Sequence, residues 1–98
     1  MTLPLDFHPA VRREVDLSYR YYVQAQSGLG RDFLRSVEKT LTKIGENPER
    51  YGFAEGDIHE AMLKRFPFAI YFRVLTDRIR VLAIFHTSRD PSEWTSRN

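Results

Sequence analysis

The groups in this chain best suited to chemistry are cationic and lie towards its C-terminal end. Residues 61–98 hold seven Lys/Arg against three Asp/Glu, a balance of +4, whereas residues 1–60 hold eight against ten, a balance of −2. Within the basic stretch, Arg65, Arg73, His86 and Arg89 combine fixed positive charge with one imidazole. Arginines aimed at an anion neutralise charge as it develops on phosphate oxygens. A histidine with an ordinary pKa of about 6.5 can move a proton. Each of these residues also has a plainer reading. Arg65 and Arg73 suit solvated or ion-paired strand positions, and His86 suits a structural hydrogen bond at a strand end. Arg89 stands out because it falls in a loop beside a sheet face. Trp94 reads as an anchor that pins the tail to the body, with a base-stacking platform as the alternative.

Other chemistries find no support. The chain has no cysteine, which excludes disulfides and thiolate metal sites. His8 and His59 lack partners at metal-ligand spacing, and there is no phosphate loop, nucleophile elbow or zinc motif. No cofactor is expected. No apolar run approaches the roughly 20 residues that span a bilayer, and Met1 to Phe7 lacks the basic start of a signal peptide. These features suit a cytoplasmic protein. The length of 98 residues suits a single domain, 1–98.

The elements that must position the cations follow from periodicity. Thr2 to Phe7 reads as a short strand, placed at an edge or strand end by Pro4, which cannot donate to a ladder. Pro9 suits the first turn of a helix. Val11, Val15, Tyr19 and Tyr22 then line one face of a helix from Ala10 to about Gln26. Ser27-Gly28-Leu29-Gly30 breaks it. A second helix runs from about Arg31 to Ile44, with Phe33, Val37, Leu41 and Ile44 as its stripe, Gly45 as its C-terminal cap and Asn47-Pro48 as its stop. So short a connection predicts an antiparallel helix hairpin. Residues 49–57 read as a loop. From Ile58 the period becomes two, giving strands over about 58–65, 68–75 and 79–86.

The register of the last two strands can be argued. Pairing Val74 with Ile79 sets Phe68, Ile70 and Phe72 opposite Phe85, Ala83 and Val81, an all-apolar face that must pack on the helices. The other face carries Ala69, Tyr71 and Arg73 opposite Ile84, Leu82 and Arg80, with His86 at its end. That face is expected to be half polar and open. Asp90-Pro91-Ser92-Glu93-Trp94 then resembles a helix start, too short to be stable without docking. The fold class is α+β: an N-terminal strand, an antiparallel helix hairpin and a three-stranded antiparallel meander forming one small sheet, with a short C-terminal tail.

Two segments carry a family resemblance. Leu63-Lys64-Arg65-Phe66-Pro67-Phe68-Ala69-Ile70-Tyr71-Phe72-Arg73-Val74 resembles the central strand motif of the RelE/ParE superfamily of toxins. Leu82-Ala83-Ile84-Phe85-His86-Thr87-Ser88-Arg89-Asp90-Pro91, followed by Trp94, is similar to the closing strand and tail of many members. The resemblance implies the toxin of a type II toxin–antitoxin system, a growth inhibitor neutralised by a cognate antitoxin that wraps it. It also implies one of two targets. RelE-like members cut messenger RNA on the ribosome, and ParE-like members poison DNA gyrase. The nuclease pattern uses arginines and a C-terminal tyrosine. Arg89 matches one of its arginines, but Ala69 stands where the central-strand arginine belongs, and Trp94 or Thr95 stands near the place of the tyrosine. Arg65, Arg73, His86 and Arg89 are the set that would have to substitute. The incomplete pattern favours a ParE-like binder, or a non-toxic member that binds only its antitoxin, over a RelE-like ribonuclease.

Overall fold

The computed structural model describes residues 2–98, so Met1 lies outside it. Strand β1 (Leu5–Phe7) leads into helices α1 (Ala10–Ala25) and α2 (Leu29–Glu46). A 3-10 turn at Pro48–Arg50 follows, then strands β2 (Phe53–Glu55), β3 (Ile58–Met62), β4 (Phe68–Val74) and β5 (Ile79–His86), and a short helix α3 (Ser92–Thr95). The strands form one open sheet in the order β1-β5-β4-β3-β2. β1 runs parallel to β5, and the remaining pairs are antiparallel. The α+β architecture is the one expected, with the meander lengthened at one edge by β2, in a stretch read from the sequence as loop.

The helix hairpin forms because the chain leaves α1 at Gln26, whose backbone is extended, and then turns through Gly28. Gly28 adopts φ of 80°, a left-handed conformation that costs glycine nothing. Gly30 lies inside α2, where an added Cβ would meet Val23 Cγ2 at 2.5 Å. Its missing side chain therefore lets the two helices approach. Gly45 does not cap α2 as expected. It lies within the helix, where its carbonyl accepts a hydrogen bond from Leu3 N–H at 3.1 Å and ties the chain's start to the helix. Helix α1 begins with a local cap, His8 Nδ1 accepting from Ala10 N–H at 3.1 Å.

One face of the sheet packs on this hairpin. Phe33, Val37 and Ile44 of α2 meet Ile70, Phe72, Ile79 and Val81, and all are nearly inaccessible to solvent. Tyr22, Phe33 and Phe66 stack edge-on or tilted, with centroids 5.0–5.4 Å apart. Aromatic pairs at such geometry contribute beyond their buried area.

The expected β4–β5 register holds only next to the turn. Val74, Arg73 and Phe72 pair with Ile79, Arg80 and Val81, but Tyr71 pairs with Ala83 and Phe68 with His86. Leu82 is the extra residue of a β-bulge. A bulge sets two successive side chains on one face and inverts the alternation beyond it. Ile84 thus turns towards the helices, while Ala83 and Phe85 turn away.

That inversion overturns the expectation of an open, half-polar second face. Ile58, Ala69, Tyr71, Leu82, Ala83 and Phe85 form a second apolar cluster, closed by Trp94 of α3. Trp94 stacks on Tyr71 with centroids 3.8 Å apart and is 3% exposed. Asp90 holds the start of α3, its Oδ1 accepting from Ser92 N–H at 3.0 Å. The tail is thus the second layer over the sheet.

Candidate functional site

The four sequence-derived candidates do not converge. Arg73 faces Arg80 across β4–β5, whereas His86 faces Phe68. Five residues of strand separate them, roughly 17 Å at the usual rise. Each candidate also has work of its own.

Arg73 is mostly buried. Its Nε donates to both carboxylate oxygens of Asp57, at 3.0 and 3.2 Å, and its Nη1 donates to Arg97 O at 2.9 Å. The guanidinium clamps the tail to the β2–β3 turn. Its hydrogen bond holds the Asp57 carboxyl below the ordinary carboxylate range.

His86 lies edge-on to Phe68, 5.3 Å between centroids. Its Nδ1 receives Ser88 N–H at 3.1 Å and lies 2.7 Å from Ser88 Oγ. A backbone N–H can only donate, so the neutral ring carries its proton on Nε2. The lone pair a general base would use is therefore already engaged by Ser88.

Arg89 lies over the Phe85 ring, its Cζ 4.2 Å from the centroid, and pairs with Glu93 four residues on. Phe85 belongs to the tail-covered face and Phe68 to the helix-covered face. His86 and Arg89 thus serve opposite sides of the sheet although they are neighbours in sequence. Arg65 sits apart from all three, in the β3–β4 turn beside α2, 3.5 Å from Asp32.

Tyr71 does not replace the absent tyrosine. Burial, and then the neighbouring Glu60, push its hydroxyl far above the usual tyrosine range, and Trp94 covers its ring. His59 is buried between Phe53 and Phe72, and its Nδ1–H donates to Tyr51 O at 2.7 Å. Among the described residues no three His, Cys, Asp or Glu side chains gather as a metal site. No helix of the described residues is long and apolar enough to cross a membrane.

The residues that organise this end of the sheet were not found from the sequence. Glu14 of α1 and Arg97 of the tail pair at 2.6 Å, both largely buried. Together they satisfy the backbone at the bulge, Arg97 Nη1 donating to Leu82 O at 3.0 Å and Glu14 Oε1 accepting from Ile84 N–H at 3.2 Å. β1 ends at Phe7, opposite Val81. Beyond that point these two side chains stand in for a neighbouring strand.

Two grooves flank α2. One is largely apolar, lined by Val15 and Tyr19 of α1, Leu34 and Leu41 of α2 and Ile84 of β5, together with Arg12, Arg13, Glu38 and the Asp16–Arg20 ion pair. The other lies between α2 and the β3–β4 turn and is lined chiefly by polar and charged side chains.

Comparison with known proteins agrees with this fold. No curated protein sequence matches the chain. The fold is similar to that in the chromosomal ParDE toxin–antitoxin system from P. aeruginosa, with a TM-score of 0.73 at 18% identity, covering 87% of this chain and 96% of that one. It is also similar to that in the toxin–antitoxin complex RelBE2 from Mycobacterium tuberculosis, with a TM-score of 0.60 at 14% identity, covering 88% of this chain and 99% of that one. The model of a family described as the ParE toxin of the type II toxin–antitoxin system parDE matches residues 5–91. That match spans both helices and every strand, and the chain belongs to this family, as the toxin of a type II toxin–antitoxin pair.

Proposed function

We propose that this toxin inhibits growth by binding DNA gyrase, as ParE-like members do, and that a cognate acidic antitoxin neutralises it. One observation chiefly carries the choice of binder over nuclease: the four candidate catalytic groups are dispersed and engaged. Phosphodiester cleavage needs a proton acceptor, a proton donor and cations within reach of one phosphate. Here His86 has its lone pair on Ser88, Arg73 clamps Asp57 and the tail, and Arg89 is pinned between Phe85 and Glu93. Ala69 and Trp94 are both buried, so neither position offers a group to a substrate.

The antitoxin reading rests on the apolar groove. Its lining is mostly hydrophobic, and beside the Asp16–Arg20 pair and Glu38 it carries Arg12 and Arg13, which take part in no ion pair among the described residues. An amphipathic segment with acidic flanks complements both features.

The deciding measurement combines purified gyrase with the toxin. Supercoiling should fall with added toxin and recover when the antitoxin is supplied. Site-specific cuts in ribosome-bound message after induced expression, lost in Arg89→Ala, would replace this reading with the RelE-like one. Absence of both effects would leave antitoxin binding as the remaining role.

A further inference from the structure

We infer that the groove between α2 and the β3–β4 turn is a binding site for a phosphodiester strand, read by its backbone charge. The site is separate from the gyrase reading and from the tail-covered sheet face, and does not depend on either.

The groove has a volume of about 760 Å³ and carries Arg35, Lys39, Lys43, Lys64 and Arg65 against Asp32, Glu38 and Glu46. Arg35, Lys39 and Lys43 repeat every four residues, so they stand in a row on one side of α2, about 6 Å apart along the axis. Lys64 and Arg65 face that row from the turn. Among the described residues, Arg65 pairs with Asp32, while Arg35, Lys39, Lys43 and Lys64 take part in no ion pair. Most other arginines that carry structure in this molecule are neutralised by a carboxylate. This row is left charged.

The turn is fixed in place to face the row. Ser36 Oγ donates to Lys64 O at 3.2 Å, fastening the turn to α2. Arg65 has φ of 71°, and no other non-glycine residue among those described has a positive φ. A side chain disfavours that conformation where glycine would accept it. The sequence nevertheless places an arginine there.

The chemistry of the groove selects its ligand. An acidic protein segment would need apolar anchors, but the only apolar side chain here is Phe66, which is 6% exposed and packed into the core. The same burial leaves no exposed ring for a base to stack on. What remains is a line of cations suited to successive phosphates, with binding that ignores sequence and falls steeply with salt.

The test is fluorescence anisotropy of the full chain with labelled 20-nucleotide strands of mixed sequence, as single-stranded DNA, single-stranded RNA and duplex DNA. Four or five phosphate contacts predict a loss of affinity on the order of 100-fold between 50 and 200 mM salt. The three probes show which form of strand fits best. Lys39→Glu with Lys43→Glu should weaken binding on the order of 10-fold or more and flatten the salt slope. Lys39→Gln with Lys43→Gln should do the same more mildly, with an unchanged circular dichroism spectrum. Arg12→Glu with Arg13→Glu, an equal change of charge at the apolar groove, should leave affinity as it is. Arg65→Gly should weaken binding while holding or raising the melting temperature, because it removes a cation and relieves the backbone together. The inference fails if no strand binds at 50 mM salt. It also fails if the Arg12/Arg13 variant loses as much affinity as the Lys39/Lys43 variant. Displacement of the strand by a polyglutamate peptide at equal charge would assign the groove to an acidic protein instead.

Discussion

Glu14 and Arg97 show how a pair of charges can be structural rather than catalytic. Each side chain is less than one-fifth exposed, and each also satisfies a backbone group of the bulge. Removing one partner strands the other charge and frees a peptide group from its hydrogen bond. Glu14→Ala and Arg97→Ala should each cost about 2–4 kcal/mol, towards the lower part of the range for breaking a buried pair because some solvent reaches this one. The double variant should cost clearly less than the sum, since the second change removes the charge that the first left unpaired. Urea unfolding of the four proteins measures this, and additive losses would mean that the two side chains act separately. None of this was legible in the sequence, because nothing in the pattern joins a helix glutamate to an arginine 83 positions later. Phe72 is the contrasting case: period-two alternation alone placed it in the core, and it is fully buried.

At the scale of elements, the helices and the last two strands match the expected extents, whereas β3 stops at Met62 and not near residue 65, and the departures in register have physical causes. The β5 register could not be read beyond Val81 because Val81-Leu82-Ala83-Ile84-Phe85 is apolar throughout. Alternation marks a bulge only where polar and apolar residues alternate. Missing the bulge hid the second apolar face, although Trp94 was legible as the anchor of the tail. Of the candidate site, the residue types were legible but not their partners. Helix α3 has only four residues and no independent stability. It persists because Trp94 docks and because two carboxylates hold its surroundings. Asp57 is held below the carboxylate range by the Arg73 hydrogen bond, and Asp90 chiefly by the Ser92 N–H. Both folded values lie below those of the unfolded chain. Their stabilisation is therefore complete above the ordinary carboxylate range and fades as pH falls through the folded values. Trp94 is the only tryptophan, so its fluorescence reports the tail alone. Its emission should stay constant from neutrality to about pH 5. As pH falls below the ordinary carboxylate range it should shift to the red, before the far-ultraviolet helix signal is lost. Asp90→Asn should remove part of that acid response. A tryptophan shift that coincides with global unfolding would show that the tail is not a separately releasable layer.

For the molecule as a whole, the hairpin covers one side of the sheet, the tail covers the centre of the other, and two grooves run along α2. The helix turns apolar residues Leu34 and Leu41 to one groove and Arg35, Lys39 and Lys43 to the other, so partner chemistry divides along its axis. An antitoxin segment seated on the apolar side binds the folded chain and not the unfolded one, so it should stabilise the fold by mass action. At a free antitoxin concentration about 100 times the Kd the gain is about 2.7 kcal/mol, which for a chain of this length raises Tm by about 10–20 °C. Leu34→Glu sets a charge against that floor at a half-buried position. It should leave the chain folded while removing most of the rise and the growth rescue. Lys39→Glu with Lys43→Glu, on the far side of the same helix, should retain both. Thermal melts of the three proteins with and without antitoxin carry the comparison. If Leu34→Glu melts with the full rise, the antitoxin does not use the apolar groove; if the lysine variant also loses the rise, the antitoxin spans α2 and the two grooves are one interface.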